Sequence, residues 1–200
     1  MLWDFGMIMD KTKSPGGEGF KLKLHETKVD APLSPIYVNL RTLRSYPALM
    51  AFVVRLYGKM LEGVDVDLLA DIPLAASPIV SNLMAKTQIP MITPREPKDR
   101  GVKASVLGAF KPGQRVALCD DLITGAHSKL QAAKILRDAK LVVEHVFVLV
   151  DREQGGQAQL AEMGITLHAA FTLVELLEFY RSSERMSEEL YGEVIAYLAG

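Results

Sequence analysis

Asp120 and Asp121 close an apolar run, Val116-Ala117-Leu118-Cys119, and lead into Leu122-Ile123-Thr124-Gly125-Ala126-His127-Ser128. Each part of this stretch has a chemical use. Two neighbouring carboxylates can accept hydrogen bonds from a vicinal diol. A small, hydroxyl-bearing turn that opens a helix presents backbone N–H groups to a phosphate. The Thr124 and Ser128 hydroxyls add further donors. A phosphate in the turn and a diol over the acids describe a site for ribose 5-phosphate. The same residues fit a plainer reading, a strand ending in a solvated acid pair with Ser128 capping the next helix. Neither G-x-x-x-x-G-K-[ST] nor G-x-G-x-x-G occurs in the sequence, so the usual nucleotide-binding loops do not compete.

A strand and a helix must hold that turn, and the hydrophobic pattern supplies them. Residues 115–119 read as a buried strand and 128–139 as a helix. Residues 142–150 are almost continuously apolar, as a central parallel strand requires. Before the turn, Ser45 and Pro47 start a helix that runs to about Glu62, with Leu49, Val53, Leu56 and Met60 on its buried face. Strands at 66–70 and 89–92 flank a helix at 76–86. Residues 95–108 are charged, lack strong periodicity and contain Pro97 and Gly101, which predicts a long loop. A short helix at 158–163, a strand at 165–169 and two helices with a break near Ser182-Ser183 complete the chain. This alternation predicts an α/β fold, a central parallel sheet flanked by helices. Ligands on such sheets bind beyond the carboxyl ends of the strands, where Asp120 and Asp121 fall.

The chain has 200 residues, which suits one α/β domain with short additions. Residues 1–20 read as a flexible N-terminal extension, 21–181 as the catalytic domain and 182–200 as a C-terminal helix packed on it. A hydrophobic share of 49% with 24% charged residues excludes a disordered or collagen-like chain. The net charge of -1 gives nucleic-acid binding no support. The single cysteine, Cys119, cannot form an internal disulfide, in keeping with a reducing compartment. It reads as a buried strand residue, because nothing nearby would generate a thiolate. His25, His145 and His168 lack metal-ligand spacing. No apolar run approaches the roughly 18 residues of a membrane span. Trp3, Asp4 and Phe5 stand where a signal peptide would carry lysines. The expectation is a cytoplasmic protein that binds neither membrane nor nucleic acid.

Residues Cys119 to Ser128 resemble the phosphoribosyl-pyrophosphate (PRPP) motif of the type I phosphoribosyltransferases. Three more segments narrow the resemblance to the orotate phosphoribosyltransferase family. They are Ser34-Pro35-Ile36-Tyr37-Val38-Asn39-Leu40-Arg41, Arg95-Glu96-Pro97-Lys98-Asp99-Arg100-Gly101 and Asp151-Arg152-Glu153-Gln154-Gly155-Gly156. The resemblance runs from about Lys28 to Tyr180 and implies a type I phosphoribosyltransferase fold with a mobile catalytic loop. It also implies transfer of phosphoribosyl from PRPP to orotate, with Mg²⁺ held mainly by PRPP and no metal ligand from the protein. By this resemblance, Asp120 and Asp121 hold the ribose hydroxyls. Thr124, Gly125, Ala126, His127 and Ser128 form the 5-phosphate loop, with Thr124 also near orotate. Lys98 belongs to a loop that closes over pyrophosphate in the neighbouring subunit of a homodimer. Arg95 and Arg100 occupy positions in the same loop where the family commonly has lysine and a histidine or aromatic residue. Arg152 contacts orotate, and Lys28 matches a lysine near the base.

Three departures from the family pattern bear on turnover, one of them being His127, which replaces a small residue beside the phosphate and either donates to it or points to solvent. Ala126 stands where glycine is usual, and alanine is costly if that position needs φ > 0. The pyrophosphate loop, 72–78, lacks the polar or basic side chain often found near Ala75. The alternatives to an orotate enzyme are a transferase for another base and a non-catalytic PRPP- or nucleotide-sensing protein.

Overall fold

The computed structural model describes residues 2–22, 25, 29–96 and 105–199. The chain divides into two units, Met1–Leu43 with Leu173–Gly200, and Arg44–Thr172.

The first unit opens with strand β1 (Ile8–Asp10), which pairs antiparallel with β2 (Ile36–Val38). Lys11–Lys13, part of the turn-rich stretch, forms a 3-10 helix, and the Asp10 side chain caps it by accepting from Thr12 N at 2.8 Å.

The second unit begins with helix α1 (Pro47–Met60), whose first residue is a proline, as a helix start permits. Strand β3 (Leu68–Asp71), helix α2 (Ser77–Thr87), strand β4 (Met91–Pro94) and strand β5 (Val106–Leu107) follow. After them come β6 (Arg115–Cys119), β7 (Leu122–Ile123), α3 (His127–Asp138), β8 (Val142–Asp151), α4 (Gly156–Ala161) and β9 (Thr166–Thr172). Strand β8 is the spine of the sheet. Residues of β6 and then β7 pair in parallel along one edge of it, and β9 pairs in parallel along the other. Strands β3 and β4 continue the sheet in parallel beyond β6. Among the described strands of this sheet, β5 alone runs antiparallel, against β4. The stretch expected as a long loop at 95–108 therefore returns as a strand at 106–107. Its stem is closed by Arg95 N donating to Ser105 O at 2.9 Å.

Alternation along each strand sorts the two faces. Leu68, Ala70, Val116, Leu118, Val146 and Val148 share one cluster with Ala132, Ala133 and Leu136 of α3 and Leu160 of α4. Leu69, Ala117, Phe147 and Leu149 point the other way and are equally buried. Helix α1 packs against β8 and β9. Its buried residues are Leu49, Met50, Val53, Val54 and Tyr57. Leu56 and Met60, expected on the buried face, are only half-buried. The stripe is rotated because the Tyr57 hydroxyl finds a buried carbonyl partner, that of Asp120.

The first unit resumes with α5 (Leu173–Ser182) and α6 (Glu188–Ala199). They pack on each other, and the break between them falls where the sequence predicts it. The Trp3 and Tyr180 rings lie 5.5 Å apart, and Lys11 pairs with Glu193 at 2.7 Å. Met186, just before α6, and Val194 within it are buried, while Leu190 and Leu198 are half-buried. Among the described residues no helix is long and apolar enough to cross a membrane.

Candidate active site

Strand β6 ends at Cys119, and β7 resumes the pairing with β8 at Leu122. Asp120 and Asp121 occupy the gap. Their backbones stay tied to β8: Asp120 N donates to Phe147 O at 2.9 Å, and Asp121 O accepts from Leu149 N at 3.0 Å. The acid pair thus stands at the carboxyl end of β6, as the alternation predicts. Asp120 is buried and Asp121 half-buried. Asp120 Oδ1 accepts from Asp121 N at 2.9 Å, and Asp121 Oδ1 accepts from Leu122 N at 2.8 Å.

Lys129, one turn into α3, reaches back to this pair. Its ammonium lies 2.5 Å from Asp120 Oδ2 and donates to Leu122 O at 2.6 Å. Burial pushes the Asp120 carboxyl up to about 6; Lys129 pulls it down, and the Asp121 charge pushes it up. A carboxyl raised on folding favours its protonated form in the native state. The stability this lends is present below the unfolded value of 3.8 and is lost as pH rises through about 6. Replacing Asp120 with Asn is therefore expected to flatten the dependence of Tm on pH between 4 and 7, as measured by thermal melts across that range. An unchanged slope would place the titration elsewhere.

Helix α3 begins at His127, one residue earlier than expected, so Ala126 rather than Ser128 is its N-cap. Ala126 has φ of -88°, open to any residue, so alanine carries no backbone strain there. Its methyl is fully buried. Thr124 is half-buried, and Gly125, His127 and Ser128 are exposed at the mouth of the turn. Ala126 N donates to Gln159 Oε1 at 2.8 Å. A glutamine from α4 thus holds one of the amides that an anion would use.

The Gly155-Gly156 pair has a separate physical reason at each position. Gly155 caps α4 with φ of 88°. A Cβ on Gly156 would meet Ile123 Cγ1 at 2.6 Å and Thr124 O at 2.7 Å, so only glycine lets α4 approach the turn. Arg152, between β8 and these glycines, is buried, and its N–H donates to Ile123 O at 2.9 Å. Arg152 is therefore brought beside the acid pair and the turn.

Asp71, at the carboxyl end of β3, is buried and accepts from the hydroxyls of Ser77 and Thr93. It ties the start of α2 to β4 below the 72–78 loop. That loop has no basic side chain of its own, but Arg44 donates from Nη2 to Leu74 O at 3.0 Å. Arg95 is half-buried at the base of the β4–β5 hairpin. Lys28, Lys98 and Arg100 lie outside the described residues. Tyr57, Asp71, Lys129, Gln159 and Arg44 were not marked by any sequence pattern. Only an apolar-face lysine at position 129, on the side of α3 that carries Ala132, Ala133 and Leu136, could have signalled a buried charge.

Cys119 is fully buried, and burial pushes its thiol up, away from reactivity. Strand pairing brings His145 Nδ1 to 3.1 Å from His168 Nε2. Among the described residues no three metal-ligating side chains converge.

A mostly parallel sheet with helices on its faces, an acid pair at the end of a central strand and a tight turn into the next helix define a type I phosphoribosyltransferase fold. No protein-family model matches the chain. Known proteins do. It is 34% identical to an orotate phosphoribosyltransferase of Aquifex aeolicus over 151 residues, 72% of this chain and 82% of that one. It is 31% identical over 172 residues to a uridine 5'-monophosphate synthase of Caenorhabditis elegans, 83% of this chain and 34% of that protein. The solved structure of Leishmania donovani UMP synthase superposes with a TM-score of 0.84 and 35% identity, over 99% of this chain and 40% of that one. This chain therefore spans about a third of the length of the synthase it matches in Caenorhabditis elegans. The chain belongs to the orotate phosphoribosyltransferase family.

Proposed function

We propose that this chain transfers phosphoribosyl from PRPP to orotate, giving orotidine 5-monophosphate and pyrophosphate, as a cytoplasmic step in pyrimidine nucleotide synthesis. The observation that carries the reading is the juxtaposition of three features along β7 and β8. They are the Asp120–Asp121 pair, the turn of residues 124–128 at the start of α3, and buried Arg152 bonded through its backbone to Ile123. The carboxylates accept from the ribose 2- and 3-hydroxyls, and Asp121 is the more accessible of the two. The turn and the α3 N-terminus take the 5-phosphate. Thr124 and Arg152 face the base, with Lys28 assigned by resemblance alone.

Displacement at the anomeric carbon passes through an oxocarbenium-like state while negative charge grows on pyrophosphate. Orotate enters as an anion, so the chain needs no strong general base. Arg95, Lys98 and Arg100 lie within six positions and supply positive charge to the leaving group. A loop that closes over the site also excludes water. Mg²⁺, which prefers substrate phosphates to all-protein sites, would be held mainly by PRPP beside the carboxylate oxygens of Asp120 and Asp121. When bound, it neutralises charge on the departing pyrophosphate. Incubation with PRPP, Mg²⁺ and a panel of bases, followed by chromatography of the products, tests the assignment. Orotidine 5-monophosphate should be the main nucleotide; another nucleotide would move the assignment to a different base.

The same reading makes the active unit a homodimer in which residues 95–101 of one subunit serve the acid pair of the other. Mixed Lys98→Ala and Asp121→Asn chains should then regain up to about a quarter of wild-type activity. Some of the mixed dimers carry one intact composite site. Absence of recovery, with mixed dimers demonstrated by mass, would assign the loop to its own subunit.

A further inference from the structure

We propose that Lys129 is a positioning residue of the ribose site, its ammonium fixing the Asp120 carboxylate and the Leu122 carbonyl so that Asp121 is held between them. The proposal rests on the reading of Asp120 and Asp121 as the ribose acceptors. Lys129 is 4% exposed, unusual for a lysine, and both groups it touches belong to the break between β6 and β7. Helix α3 carries it on the same side as Ala132, Ala133 and Leu136, which pack into the core. A lysine at that place has no route to solvent that keeps both contacts. The contacts bracket Asp121 at two points: one at Asp120, the residue before this half-buried acid, and one at Leu122, the first after it.

Among the described residues, Lys129 is the cation that acts directly on the Asp120 carboxyl; Arg152 is tied to the turn through its backbone at Ile123. Asp121 repels the Asp120 charge, and the Tyr57 hydroxyl from α1 is spent on the Asp120 carbonyl. Cys119 is a buried thiol, with Asp71 of β3 beyond it, so that side adds no cation. Lys129 is thus the group that keeps a buried carboxylate ionised and oriented for a diol. An uncharged side chain of equal length would fill the space and fail at both tasks.

The test compares wild type with Lys129→Met. Carboxyl NMR of Asp120, assigned with Asp120→Asn, is expected to show its titration rising by about 1 unit or more in the variant. The acid limb of kcat/KM for PRPP should move up in pH by the same amount, with kcat largely recovered at alkaline pH. A titration that stays in place while activity falls at all pH values would overturn the proposal, leaving Lys129 a packing residue. Should wild type fail to turn over orotate, the functional reading fails, and the carboxyl titration still decides the role of Lys129. Thermal melts give a second criterion if Lys129→Met folds poorly. Removing both charges in Asp120→Asn/Lys129→Met is expected to be more stable than Lys129→Met alone. A double variant no more stable than the single one would overturn the pairing.

Discussion

Replacement of Lys98 with alanine is expected to lower kcat by about 10²–10³-fold, the usual effect of removing one donor to a developing anion. Affinity for PRPP should change much less. The reason lies in the timing of charge. On the proposed function, PRPP would bring Mg²⁺ with it, which would already meet part of its ground-state charge. New charge appears on the leaving oxygen as the glycosidic bond breaks, and a cation aimed there acts on the transition state. Such a loss shows in kcat and kcat/KM together. Arg95 and Arg100 share the segment and keep some of the field, so the loss stays finite. Pre-steady-state measurement of product formation, beside equilibrium titration of PRPP, separates the two effects. Equal weakening of PRPP binding with unchanged kcat would make Lys98 a ground-state contact.

Arg152→Lys is expected to raise the KM for orotate by about 10- to 100-fold. This corresponds to about 1.5–3 kcal/mol for a hydrogen bond to a charged group. PRPP affinity should hardly change. The guanidinium is planar and makes paired, directional bonds that an ammonium cannot copy. Burial of Arg152 beside the turn strengthens any bond it makes, because little water competes there. Steady-state kinetics with each substrate varied in turn give both constants. Unchanged orotate kinetics in the variant would remove Arg152 from the base site.

The parts of this fold that were legible are those whose hydrophobic pattern is long or sharply bounded. Strand β8 is ten residues of nearly continuous apolar sequence, and β6 ends abruptly at two aspartates. Strand β7 has two residues and β5 has two, too few for any periodicity to register. Both form because a neighbouring strand offers unpaired backbone groups, β8 in one case and β4 in the other. The α1 face was half legible. Leu49 and Val53 are buried as the spacing predicts, whereas Tyr57 displaces Leu56 because its hydroxyl reaches the Asp120 carbonyl. That contact joins residues 63 positions apart, beyond the reach of a local pattern.

The candidate site divides in the same way. The acids and the turn are contiguous, so their chemistry could be read directly from order and type. The need for Gly156 lies in its approach to Ile123, which only three dimensions reveal. Lys129 and Gln159 are ordinary helix residues in sequence. Their meaning comes from what α3 and α4 place next to the turn. The concern over Ala126 rested on an assumed positive φ; the chain turns at that residue without one.

On the proposed function, the acid pair, the turn and Arg152 together select orotate and PRPP. Continuous spectrophotometry of orotate with the purified chain, PRPP and Mg²⁺ tests it most directly. The expected result is a loss of orotate absorbance that needs both PRPP and Mg²⁺ and is reversed by adding pyrophosphate and orotidine 5-monophosphate. An Asp121→Asn control should be slowed by at least about tenfold, since it removes a charged acceptor from the ribose. Steady orotate absorbance with the wild-type chain, under conditions where PRPP binding is shown by calorimetry, would contradict the account and leave a PRPP-binding protein that does not use orotate.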